Sequence, residues 1–136
     1  MVHVADSLVV ADTDLVIDFL RDHGPGAGWM QDRLERGFVL ITAITAFELR
    51  LGADFFQRQR AINRLLARAL PLDAPAAVRA GALFSKLRAE GRAIDLRDAL
   101  IAGVCLRFDL PLATRNVRHF ERVEQLRVSV MEGLAG

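Results

Sequence analysis

Residues 8–14 read LVVADTD. An unbroken apolar run that ends at a carboxylate predicts a short buried strand with an acid at its carboxyl end. Three further runs of the same kind extend from Phe38 to Ile41, Leu110 to Ala113 and Arg127 to Val130. Helical patterns lie between them, over Leu15–Arg21, Gly28–Arg36, Ile44–Ala53, Phe55–Leu70, Ala76–Glu90 and Leu96–Phe108. Thr42 is placed to N-cap the third pattern, and Gly91 closes the fifth. The last is nearly all apolar, which predicts a central, well-buried helix. Strands alternating with helices predict an α/β fold with a short parallel sheet of four to five strands and helices on both faces. Ligands of such sheets sit beyond the carboxyl ends of the strands.

Polar residues of unusual type follow those strands. The first runs into Asp12-Thr13-Asp14, and a carboxylate there is costly to desolvate unless paired or bound to a cation. N-capping by Asp12 or Thr13 is the competing reading. The second runs into TAITAFELRLGA, where Glu48 lies four residues after Ile44 and three before Leu51, on an apolar helical face. The third segment, GRAIDLRDALIAGVCLRF, has Asp95 at the N-cap and Asp98 in the third helical position. Capping and the helix dipole account for Asp95, whereas the turn of Asp98 heads into apolar sequence. The fourth, LPLATRNVRHF, places Thr114 and Asn116 after a strand, where Asn also supports turns. Acids gathered at one sheet edge repel each other unless something offsets the repulsion. An all-oxygen set without His or Cys at zinc spacing suits Mg²⁺ or Mn²⁺.

The 136 residues (15.0 kDa) fit one domain, 1–136, and a composition of 52% hydrophobic and 26% charged residues excludes a disordered chain. The 18 basic and 17 acidic side chains nearly cancel, to +1, so total charge makes no case for a polyanion binder. Lys86 is the only lysine and the other 17 basic residues are arginines, which suit bidentate phosphate binding. Cys105 is the only cysteine, so an internal disulfide is impossible. The start, MVHVADSLVVAD, lacks a basic n-region, and no apolar run approaches the ~20 residues of a membrane helix. The expectation is a cytoplasmic domain with no membrane association.

The blocks DTDLVIDFL, TAITAFELRLG, DALIAG and LATRNVRHF, in this order, resemble a PIN domain of the VapC type, the toxins of bacterial toxin–antitoxin pairs. The resemblance runs from about Val9 to Val130 and implies a PIN-like three-layer fold. It also implies endoribonuclease activity, a homodimer and an antitoxin partner of the VapB kind. Matching motifs make Asp12, Glu48 and Asp98 acidic site residues around Mg²⁺, with Asn116 where the family often carries a fourth acid and Thr13 and Thr114 in support. Two positions depart from the pattern. Asn116 is neutral, and Asp14 is an acid where an uncharged small polar residue is common. His119 lies nearby and reads as a surface residue beside Phe120, with a general-acid role as the alternative.

The implied chemistry is hydrolysis of an RNA phosphodiester. Asp12 and Asp98 are the best direct ligands, and Glu48 would hold a metal-bound water or a second ion. Arg92, Arg97, Arg115 and Arg118 flank the third and fourth motifs and are candidates to hold phosphates, against the plain reading of exposed arginines. Trp29 and Met30 fit either core or interface, Arg58, Arg60, Arg64 and Arg68 a solvated helix face or an RNA grip, and Cys105 the core. Two other readings compete. Asp12-x-Asp14 after a strand also resembles the start of a haloacid-dehalogenase-like phosphatase, which needs a downstream lysine. A catalytically weak PIN domain that binds RNA or protein is favoured by the missing fourth acid.

Overall fold

The computed structural model describes residues 7–129. Val9–Ala11 forms β1, which runs into α1 (Thr13–Arg21), α2 (Gly26–Arg36), β2 (Val39–Thr42) and α3 (Ala43–Leu51). Next come α4 (Asp54–Gln57), α5 (Gln59–Leu66), β3 (Ala69–Leu70) and α6 (Ala74–Ala89). α7 (Leu96–Arg107), β4 (Leu112–Ala113), α8 (Val117–Phe120) and β5 (Val128–Ser129) complete the described chain. The five strands form one sheet of order β3-β2-β1-β4-β5, and every pairing is parallel. β1 is central, with Val10 opposite both Leu40 of β2 and Leu112 of β4.

Alternation of side chains along the strands divides the core in two. Val9, Ala11, Val39, Ile41 and Ala113 face α1, α2 and α5, against Leu15, Phe19, Met30, Ile62 and Leu65. Val10 and Leu112 face α6 and α7, against Ala76, Leu87, Ile101, Ala102 and Cys105. The expected parallel sheet with helices on both faces is therefore present. Met30 and Cys105 are core residues, and burial pushes the Cys105 thiol up to about 12.

The structure corrects several boundaries. The expected helix over Phe55–Leu70 breaks at Arg58, whose backbone leaves helical geometry at φ −120°, ψ 43°, and ends at Leu66. Ala69–Leu70 pairs with β2 instead, fixed by a hydrogen bond from Ile41 N to Arg68 O and by the Arg68 side chain donating to Gly37 O and Val39 O. Long-range pairing thus overrides local helical propensity. Arg68 is thereby withdrawn from any RNA-gripping row. Leu8 lies outside β1, and the last strand is Val128–Ser129, with Val130 outside the described residues.

α6 and α7 pack closely because Gly103 lacks a side chain. A Cβ there would lie 2.6 Å from Ala80 Cβ and 2.7 Å from Ala76 O. Gly103→Ala should therefore force the two helices apart and lower the unfolding free energy by about 1–3 kcal/mol. Urea unfolding checks this, and an unchanged midpoint would show that the helices can yield.

Candidate active site

β1 delivers Asp12 to the carboxyl edge of the sheet, where Asp12 N donates to Ala113 O (2.9 Å) and its extended backbone makes it the N-cap of α1. The side chain is 1% exposed. It is fully engaged: Oδ1 accepts from Thr13 N (2.8 Å) and Arg97 Nη2 (3.0 Å), and Oδ2 from Thr114 Oγ1 (2.8 Å). Asp12 thus caps α1 and is also a member of the acidic cluster, so the two readings of its sequence position are not exclusive.

β2 delivers the second acid through α3, whose N-cap Thr42 accepts from Thr45 N (3.2 Å), as expected. Glu48, half-buried, lies one turn after Thr45 on the same face. Thr13 Oγ1 donates to Glu48 Oε1 (2.6 Å) and is 2.8 Å from Thr45 Oγ1, so Thr45 completes a hydroxyl chain that holds the carboxylate. Sequence reading missed Thr45, although its i,i+3 spacing to Glu48 was available as a signal.

α7 delivers the third. Asp95 occupies the N-cap position, but its side chain makes no capping bond, contrary to the capping expectation. Asp98, in the first turn, is buried as its apolar context predicts. Burial, with the charge of Asp12, raises its pKa against the opposing effects of Arg97 and His119. His119 is a surface residue, as expected, with its side chain 56% exposed, and its Nδ1 lies 3.4 Å from Asp98 Oδ2.

The β4–α8 loop supplies the fourth segment. Thr114, buried, donates to Asp12 and accepts from Asn116 N (3.0 Å). Asn116 is exposed and reaches back through Nδ2 to Asp14 Oδ2 (3.4 Å), where Arg115 N also donates (3.1 Å). Asp14 therefore places a carboxylate beside the position where a fourth acid was expected. Its own pKa is raised by burial first and by Asp12 second. Asp18, another residue that sequence reading did not single out, anchors the α1–α2 turn by accepting from Gly26 N (3.0 Å) and Arg115 Nη2 (3.2 Å). The Gly24–Gly28 stretch wraps this carboxylate: a Cβ at Gly24, already at φ +87°, would lie 2.8 Å from it.

One cation links the three principal acids. Arg97 donates from Nε to Glu48 Oε2 (2.6 Å), from Nη1 to Asp98 Oδ1 (2.7 Å) and from Nη2 to Asp12 Oδ1 (3.0 Å). Burial disfavours its charge, but the bond to Glu48 and the field of Asp12 outweigh that and raise its pKa. Among the described residues, no three acidic, His or Cys side chains are grouped closely enough to hold one metal ion as they stand. Their oxygens are spread around the guanidinium instead. The donor set itself, three hard carboxylates turned toward one positive charge, fits Mg²⁺ or Mn²⁺. Of the other candidate arginines, Arg115 pairs with Asp14 and Asp18, and Arg92 is 3.8 Å from Glu90. Arg118 is exposed. Lys86 is not a partner of Asp12 and borders a cleft between α6 and the segment after α8, with Arg122 and Glu124. The lysine that a phosphatase would require is therefore absent from the site.

Comparison with known proteins agrees with this geometry. The PIN domain family model matches residues 9–126. The chain belongs to the PIN-domain family. Ribonuclease VapC10 of Mycobacterium tuberculosis is 34% identical over 122 residues, which cover 88% of this PIN domain and 91% of that protein. The tRNA(fMet)-specific endonuclease VapC of Shigella flexneri is 32% identical over 122 residues, covering 85% and 92%. Among solved structures, DNA-bound VapBC from Salmonella typhimurium superposes with a TM-score of 0.76 at 25% identity, covering 90% of this chain and 97% of that one. No helix among the described residues is long and apolar enough to cross a membrane.

Proposed function

We propose that the chain is a Mg²⁺-dependent endoribonuclease, with Mn²⁺ as the alternative ion, and the toxin of a toxin–antitoxin pair that acts against translation and growth. The observation that carries this reading is the convergence of Asp12, Glu48 and Asp98, from three distant segments, on one cation at the carboxyl edge of the sheet. A divalent ion bound there supplies neutralisation of phosphate oxygens and a water of lowered pKa. Asp12 and Asp98 would be the direct ligands, held in place by Thr13 N and Thr114 and by the first turn of α7. Glu48, fixed by Thr13, would hold a water on the ion or a second ion. Asn116 orients a water through its amide, and Asp14 beside it keeps that corner negative. His119, against Asp98, is the group placed to hold or deliver a proton. Arg92 and Arg118 are exposed on the flanking segments and take neighbouring phosphates.

The same reading makes residues 1–136 one domain, working in the cytoplasm as a homodimer with a VapB-like antitoxin. The solved relatives include VapBC complexes, which supports the antitoxin. A weakly catalytic, RNA- or protein-binding PIN domain remains the second reading, because Asn116 replaces an acid. Asp14 counts against it by restoring a carboxylate to that corner. Purified protein incubated with RNA and Mg²⁺ should cleave it, chelation should stop cleavage, and Asp98→Ala should lower the rate about 100-fold or more. Equal behaviour of wild type and Asp98→Ala would sink the nuclease reading. Growth arrest on expression, relieved by the co-expressed antitoxin, tests the toxin role.

A further inference from the structure

We propose that Arg97 is a built-in counter-cation of the acidic site, which a divalent ion must displace in order to bind, and that the displaced guanidinium then serves the phosphate. The proposal rests on the reading that Asp12, Glu48 and Asp98 hold the metal. Three observations carry it. Arg97 spends three separate nitrogens on those three acids, taking one carboxylate oxygen of each. An N–H donor and an ion at about 2.0–2.1 Å cannot share one lone pair, and two cations held by the same three acids repel each other, so each occupant weakens the hold on the other. Secondly, the acids are fixed while the arginine is free to leave. The side chains of Asp12 and Asp98 are 1% and 4% exposed, whereas Arg97 is 34% exposed and hangs on a long, rotatable stem.

Thirdly, Arg97 occupies the second position of α7, in the first helical turn, where the helix dipole disfavours a cation. Nothing in helix formation calls for a positive charge at that point, and Leu96 beside it points outward into solvent. The carboxylates are what hold the guanidinium there. Three negative charges against one positive leave the cluster net negative, so a doubly charged ion neutralises it more fully than Arg97 does. Displacement therefore runs downhill once the ion is abundant. It leaves a planar five-donor group at the mouth of the site, suited to a phosphodiester.

The test measures metal binding without catalysis. Metal-free wild type and Arg97→Gln are titrated with Mn²⁺, and free Mn²⁺ is followed by its electron paramagnetic resonance signal. Arg97→Gln should bind Mn²⁺ roughly tenfold more tightly, because the competitor is gone and a positive charge has left the site. Without metal it should melt below wild type, and saturating Mn²⁺ should close the gap. Arg97→Lys keeps a charge but cannot bond all three acids at once, so it should fold normally and bind Mn²⁺ about two- to threefold more tightly than wild type. Mn²⁺ affinity equal to or below wild type in both variants overturns the proposal. If affinity rises as expected while no form of the protein cuts RNA, displacement stands and the nuclease reading falls. If RNA is cut and affinity does not move, only the displacement falls.

Discussion

Asp12→Asn should abolish RNA cleavage and weaken the fold in a single step. The carboxylate sits at the one point where cap, sheet edge and acidic cluster meet. Oδ1 takes two donors and Oδ2 takes one. An asparagine keeps the shape but has a single acceptor oxygen. If its Nδ2 faces Thr114, that hydroxyl loses its acceptor. If it faces the other way, Thr13 N–H and Arg97 meet a donor. Either arrangement leaves a buried polar group unsatisfied, at a cost of about 1–3 kcal/mol. The chemical cost is larger, since a direct ligand has lost its charge. We expect a rate loss of about 10³-fold or more, or about 4 kcal/mol in the transition state. Steady-state cleavage assays and thermal melting of the metal-free protein give the two numbers separately. A variant that melts lower yet cuts RNA at the wild-type rate would remove Asp12 from the ligand set.

Phe120→Ala should produce the largest loss of stability. Phe120 is fully buried at the end of α8, a helix of four residues with no side-chain N-cap bond. So short a helix has little stability of its own, and its anchor is this ring among Ala99, Ile101, Val123 and Leu126. Truncation should cost about 3–5 kcal/mol and lower the melting temperature by roughly 10–20 °C. The effect should reach the site as well, because α8 carries His119 and has Asn116 as its N-cap. Phe120→Leu fills most of the volume and should recover most of the stability. Melting curves of the two variants check this. Similar small losses in both would show that α8 is held by something other than the ring.

The strand-end acids were legible because their cost is local. Asp12 after LVVA, Glu48 on an apolar stripe and Asp98 heading into an apolar helix each contradict their surroundings unless a cation or partner is present. The central helix and the alternation of strands were legible for the complementary reason, continuous hydrophobic pattern. β3 was not. Two residues, Ala69 and Leu70, carry no strand signal, and only pairing with β2 makes them a strand. Asp14 and His119 were visible as residues, but their partners were not, because each lies on another segment: Asn116, 102 positions from Asp14, and Asp98 on α7. Arg97 was read as a phosphate candidate, and the sequence offered no sign that it would bond acids 49 and 85 residues away.

Those separations bear on when the protein can act during its own synthesis. Asp12 is made early, but its bond to Thr114 spans 102 residues and its bond to Arg97 spans 85. β1 lies in the middle of the sheet, yet one of its two neighbours, β4, is translated only after all of α1 to α7. A nascent chain still tethered to the ribosome therefore carries scattered acids and no assembled site until residues 97–116 have emerged and docked. Chains cut short before α7 would be released without the third acid and without the arginine that accompanies it. The order of synthesis thus delays assembly of the acidic cluster until α7 and the β4–α8 loop have been made.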